Sequence, residues 1–320
     1  MGKTDIQWTD WSWTPLRGCR RISPGCGQGS KGGCYAERMA MRLSGEGRPY
    51  HGLVKGTPEG PRWTGATAVD EETLLEPLSW RKPRRVFVCS MSDLFFAGFY
   101  EMEIARVYAV MARTPHITYQ VLTKRAERAA TLLNATTFRG MVANLLPKAP
   151  PWPLPNVWQG VSCEDRKHGL PRLEHLRRMP AAMRFVSFEP LLEDLGAVNL
   201  AGIHQAIIGG ESGQGSRPRS CAAEWIRSLV VQARAQGCHP FVKQLGTRFT
   251  ARYYDHDLRE HYGSRGLEWP DPDGWSPEDG QPTLEARVTL GFGTKGQDFD
   301  AWPEEFRVRE TPPQAPDIAG

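Results

Sequence analysis

No apolar run in the 320-residue chain reaches the roughly 18–20 residues that a membrane helix needs, so a helical anchor is not expected. The first ten residues, MGKTDIQWTD, lack the apolar stretch that follows the charges of a secretory signal. The chain is therefore expected to be cytoplasmic, in a reducing compartment where disulfides do not persist. An excess of one charge is missing too. Lys and Arg outnumber Asp and Glu by only 40 to 36, and a net +4 does not by itself indicate a nucleic-acid partner. The basic residues are unevenly spread, with Arg17, Arg20 and Arg21 around the first cysteine and Arg81, Lys82, Arg84 and Arg85 in a run. Solvated surface charge is the simplest account of both groups.

What is present is a repeated pattern: a short β-branched run ending in polar residues, then a segment of helical period. The runs are Val86–Cys89 before Ser90-Met91-Ser92-Asp93, Ile117–Leu122 before Thr123-Lys124-Arg125, and Val157–Val161 before Ser162-Cys163-Glu164-Asp165. Three more follow: Arg184–Phe188 before Glu189-Pro190, Gln205–Ile208 before Gly209-Gly210-Glu211-Ser212, and Pro240–Val242 before Lys243-Gln244. A seventh strand is expected within Asp5 to Trp13. Helical periods cover Tyr35–Leu43, Glu101–Ala112, Ala126–Leu133, Leu170–Arg178 and Ala222–Ala235. The expected fold is α/β: a parallel β/α barrel of six to seven strands, partial or full, over residues 1–246. An irregular C-terminal cap over 247–320 follows, its end from Thr311 unstructured. Ligands of such sheets bind at the carboxyl ends of the strands. Polar residues at six successive strand ends fit a shared pocket there, although any one of them could simply begin a loop.

Of seven cysteines, three fall within sixteen residues: Cys19, Cys26 and Cys34. In a reducing compartment, clustered cysteines are more often metal ligands or reactive thiols than crosslinks. Glycines and a proline around them let the backbone wrap a compact ion or cluster. The loop contains no fourth cysteine or histidine, and the next candidates are His51 and Cys89. Structural zinc closes its shell with four ligands. A 4Fe-4S cluster on three thiolates leaves one iron open, which suits S-adenosylmethionine (SAM) chemistry. Cluster and zinc both remain open on the residues alone.

The chain resembles the phage three-cysteine-motif family, a relative of radical SAM proteins. The resemblance runs through Ile6-Gln7-Trp8-Thr9-Asp10, Ser23-Pro24-Gly25-Cys26, Cys34-Tyr35-Ala36-Glu37-Arg38-Met39 and Phe87 to Phe95. It continues through Gln120 to Arg125, Arg184 to Ser187, Glu189 to Leu192, Gly209 to Gly213, Phe241 to Gln244 and Asp298 to Pro303. Two departures stand out. The family has two residues between its second and third cysteines, whereas Gly27 to Gly33 put seven here. The six residues between Cys19 and Cys26 also exceed the usual radical SAM spacing, and Tyr35 follows the last cysteine rather than preceding it.

The resemblance implies a radical SAM-like barrel whose 4Fe-4S cluster is held by Cys19, Cys26 and Cys34. SAM would be cleaved to methionine and a 5′-deoxyadenosyl radical, which would abstract hydrogen from a substrate. Ser92 and Asp93 stand where radical SAM enzymes receive the SAM amino group. Lys124 and Arg125 are candidates to hold a carboxylate or phosphate, and Glu164 and Glu189 a ribose or an amine. Gly209 and Gly210, with Glu211, are candidates for close approach to adenine or substrate, and Lys243 with Gln244 would close the ring. Each has an ordinary alternative, a solvated charge or a tight turn. Cys89 and Cys163 read as small core fillers, and Trp8, Trp11 and Trp13 as packing residues that could also stack on a base. No catalytic side chain is assigned. The implied reaction is isomerisation of an amino-acid-modified thymidine in phage DNA, in evasion of host restriction. The implied partners are SAM, DNA or modified nucleotides, and an electron donor such as flavodoxin in the host cytoplasm. The alternatives are a zinc-holding nucleic-acid-binding module without catalysis, and a metal-dependent nuclease or DNA-repair enzyme.

Overall fold

β-branched and aromatic runs bounded by Gly, Pro and Asp form strands where their composition predicts them. In the computed structural model, which describes residues 2–27, 33–213, 218–252, 285–286, 299–302 and 304–313, eight strands make one sheet. They are β1 (Gly2–Lys3), β2 (Trp11–Trp13), β3 (Arg84–Val88), β4 (Ile117–Thr123), β5 (Val157–Ser162), β6 (Met183–Phe188), β7 (Gln205–Gly209) and β8 (His239–Gln244). They lie side by side in chain order. β1 runs antiparallel to β2, and every other neighbouring pair is parallel. The protein is thus mixed α/β with a large, mostly parallel central sheet.

Parallel neighbours need crossovers, and helices supply most of them. The α-helices of eight or more residues are α1 (Tyr35–Arg42), α2 (Glu101–Arg113), α3 (Ala126–Asn134), α4 (Thr136–Asn144), α5 (Gly169–Arg178) and α6 (Ala223–Ala235). In α2 the stripe Ile104, Val107, Tyr108 and Met111 is buried. Glu103 Oε2 accepts the Tyr100 amide at 2.8 Å at its start. At its end the Thr114 hydroxyl donates back to the Val110 carbonyl at 2.9 Å, just before Pro115. The sequence pattern anticipates five of these helices but not α4.

Alternate residues along the strands build two cores, so both faces of the sheet are covered. Val86, Val88, Tyr119, Val121, Val186 and Ile208 pack towards the helices. On the other face Trp8 gathers Trp158, Met183, Phe185, Ile207 and Phe241, with Phe87 and Leu122 against them. Gly160 belongs to this layer, because a Cβ there would stand 2.4 Å from the Phe185 ring. A third, small cluster of Ala36, Ala40, Tyr50, Leu53, Val54 and Trp63 underlies the cysteine loop.

The described part of the tail does not stand apart from the sheet. Val242 N donates to the Val308 carbonyl at 2.7 Å and Glu310 N to Pro240 at 2.9 Å, so this segment runs along the free edge of β8. Arg309 stacks on Phe299 at 4.0 Å and donates to Gln7 Oε1 at 3.0 Å, while Trp302 and Phe306 are wholly buried. Farther back, Phe249–Arg252 pairs with Cys221–Ala222 and Glu285–Ala286. Most of the expected cap, and the end of the chain beyond residue 313, lie outside the described residues. No helix among those described is long and apolar enough to cross a membrane.

Candidate functional site

Cys19, Cys26 and Cys34 line one cavity of about 280 Å³, whose remaining walls come largely from the carboxyl ends of β3 to β8. Nine strand-end residues expected there do line it: Ser92, Asp93, Lys124, Arg125, Glu189, Gly210, Glu211, Lys243 and Gln244. Glu164 and Gly209 do not. His51 is exposed and outside the wall, whereas Cys89 is buried within it, on a residue with φ of +56°.

The long spacing before Cys34 is resolved by a backbone contact. Gly27 has φ of +88°, a region that favours glycine, and a Cβ on it would stand 2.8 Å from Gly33 Cα. The chain therefore leaves and re-enters the loop at adjacent points. Cys26 and Cys34 share a wall despite the residues between them, and α1 begins directly after Cys34.

Four arginines fasten this loop to the body. Arg125 Nη2 donates to the Arg20 carbonyl at 2.6 Å, and its Nη1 to Asp93 Oδ2 at 2.8 Å. Arg219 Nη1 donates to the Pro24 carbonyl at 2.7 Å, while its Nε and Nη2 grip Glu211 at 2.9 and 2.8 Å. Arg21 spans the Gly27 carbonyl at 3.1 Å and buried Glu37. Arg172 Nη1 holds Glu164 Oε2 at 2.6 Å, and the other oxygen of Glu164 accepts the Ser23 hydroxyl. Burial works to raise the Glu164 carboxyl, yet Lys124, Arg172 and Ser23 together hold it below its usual range.

Several expected ligand groups are thereby occupied. Asp93 also accepts from Thr123 Oγ1 at 2.7 Å and from the amides of Phe95 and Lys124 at 3.0 Å, so its acceptor sites are taken up within the protein. Ser92 donates to the Leu16 carbonyl at 2.5 Å. Glu164 and Glu211 clamp the cysteine loop. Gly209 makes room for a neighbour, since a Cβ there would meet Glu189 Oε1 at 2.8 Å. Lys243 Nζ stands 2.9 Å from that same oxygen, an ion pair without hydrogen-bond alignment. Gly210 packs against backbone, its missing Cβ 2.4 Å from the Leu245 carbonyl.

Of the remaining candidates, Trp8 and Trp13 are core, and Cys163 is buried against Gly169. The basic run lies at the amino end of β3, where Arg84 stacks between Trp11 at 4.6 Å and Trp80 at 4.8 Å, at the opposite end from the cavity. Arg172 and Arg219 were not foreseen. Arg172 had a signal, an arginine on the apolar stripe of α5 beside Leu173 and Leu176. Arg219 had none.

Burial pushes the Cys19 thiol up to about 12, against the pull of Arg125, and burial with the charge of Cys26 raises Cys34. Thiols held protonated in this way ionise when a metal takes the proton's place. Among the described residues no three His, Cys, Asp or Glu gather tightly enough to hold one metal ion.

No curated protein and no solved structure is significantly similar to the chain. A family model described as "Protein of unknown function (DUF5131)" matches residues 3–290. That match spans most of the chain, which therefore belongs to the DUF5131 family.

Proposed function

We propose that the chain is an iron–sulfur enzyme of the radical SAM kind, with Cys19, Cys26 and Cys34 as ligands of a 4Fe-4S cluster and the adjoining cavity as the SAM and substrate site. The observation that carries this reading is that three thiols of one loop face a cavity formed at the carboxyl ends of successive parallel strands. A loop that supplies three thiolates and no fourth Cys or His suits a 4Fe-4S cluster, which keeps one iron open, better than structural zinc, which closes its shell with four ligands. Bound together, cluster and SAM supply hydrogen abstraction by reductive cleavage of SAM.

The chain's own residues hold and enclose. Arg21, Arg125, Arg219 and the Glu164–Ser23 contact fix the loop that carries the thiols. Lys124, Lys243 and Glu189 offer the cavity two cations and a carboxylate with which to orient a charged ligand. We read the sheet as an open barrel. Trp8 lies 4.8 Å from Phe87 on β3 and 5.9 Å from Phe185 on β6, strands about 14 Å apart in a flat sheet, which favours a curved one. Arg309 on Gln7 links the two ends of the strand series, as a seam would. Such a wall excludes water from a reactive intermediate.

For substrate, the resemblance to the phage family points to an amino-acid-decorated thymidine and to its isomerisation. The test is anaerobic reconstitution of the full chain with iron and sulfide. A brown protein absorbing near roughly 400 nm that releases 5′-deoxyadenosine from SAM on reduction is expected. Stoichiometric zinc in a colourless protein sinks the reading. Modified phage nucleosides left unchanged while SAM is cleaved sink the substrate part alone.

A further inference from the structure

Arg125 carries a charge into the cysteine wall of the cavity and is not free to leave it. Its Nη1 is bound to Asp93 Oδ2 at 2.8 Å and its Nη2 to the Arg20 carbonyl at 2.6 Å. The guanidinium lies over the Phe96 ring, 4.9 Å from its centroid, and the side chain is only 10% exposed. Arg20 directly follows Cys19, so the fork ends one residue from a thiol. A guanidinium pinned on three sides cannot swing onto a carboxylate or phosphate, as its place at a strand end suggested. What it gives the cavity is a permanent positive charge at a set position.

Resting on the cluster reading above, we propose that Arg125 is an electrostatic positioning residue of the thiolate site. Its fixed charge, partly balanced by Asp93, sets how readily an iron–sulfur cluster on Cys19, Cys26 and Cys34 accepts an electron. Reduction adds one negative charge to a group already carried by thiolates, the electron coming from a low-potential one-electron donor that is oxidised in turn. In a buried wall a neighbouring cation favours the more negative state, and a neighbouring carboxylate opposes it. Arg125 and Asp93 line the same cavity as Cys19, Cys26 and Cys34, so both charges face the thiolate site.

Dithionite titration of the anaerobically reconstituted full chain, followed by electron paramagnetic resonance at measured iron and sulfide content, tests this. Arg125→Gln is expected to shift the equilibrium about tenfold against reduction, a midpoint about 59 mV lower for a one-electron couple. Arg125→Lys, which keeps the charge, stays near the wild type, and Asp93→Asn moves the midpoint upwards. An unmoved midpoint in Arg125→Gln at full iron content overturns the proposal. Should that variant load less iron, Asp93→Asn decides: a rise supports the proposal, and a midpoint unmoved or lowered overturns it. A wild type with no iron–sulfur absorption overturns this inference and the function together, whereas a brown protein with flat potentials overturns this inference alone.

Discussion

Glu164 has no solvent exposure, and both its oxygens are engaged, one by Arg172 and one by Ser23 of the cysteine loop. A buried pair of this kind contributes little against an apolar substitute, but removing one partner strands the other charge. Arg172→Met is therefore expected to lower unfolding stability by about 3–5 kcal/mol at neutral pH, and Arg172→Met combined with Glu164→Gln by distinctly less. Urea unfolding of the three proteins reads this directly. The sign with pH follows from the depressed Glu164 carboxyl. In the wild type its contribution is present above the ordinary value of 4.5 and is lost as pH falls through the lower folded value. In Arg172→Met the carboxyl keeps only Lys124 and Ser23 against its burial and titrates higher, so the gap between the two proteins narrows on acidification. A gap that is constant with pH, or a double variant as weak as the single, contradicts the account.

At the level of elements, amphipathic stripes and β-branched runs survive tertiary packing, and for that reason five helices and seven strands were legible. Helix α4 was not, because Thr136–Asn144 opens with two threonines, contains Gly140 and buries only Phe138 and Val142. The polar strand ends were legible as a set, but period-two alternation cannot tell a group that faces a ligand from one that faces a loop. Glu164 binds Ser23 across 141 positions and Arg219 binds Pro24 across 195, distances no local pattern records. The cysteine loop shows the same limit, since its spacing departs from the family it resembles while its geometry brings Gly27 against Gly33. Consecutive Cα atoms are about 3.8 Å apart, so these two glycines are close enough to be joined directly. Deleting residues 28–32 would leave Cys26-Gly27-Gly33-Cys34, two residues between the thiols. This variant is expected to keep the wild-type iron content on reconstitution and a melting temperature within a few degrees. Loss of iron together with a folded circular dichroism spectrum contradicts the side-by-side backbone.

Over the whole molecule, the C-terminal segment behaves as part of the main core although its sequence reads as irregular. Its Pro, Gly and Asp content signals turns, and the signal of burial rests on a few aromatics: Trp302 and Phe306 have no exposed surface and join the same cluster as Phe249 and the helix-facing strand residues. Two backbone hydrogen bonds to β8 and the Arg309–Gln7 contact then tie the last described segment to both the final strand and the amino-terminal segment. A tail that merely capped the cavity could lose an aromatic without harm to the sheet. One that completes the core cannot, because a tryptophan truncated to alanine in a packed interior forfeits about 3–5 kcal/mol. Trp302→Ala is accordingly expected to lower the stability of the entire chain by that amount, in one urea transition seen alike by far-ultraviolet circular dichroism and tryptophan fluorescence. A main transition left where it was, with an early separate loss of tail signal, would instead make the tail an independent unit.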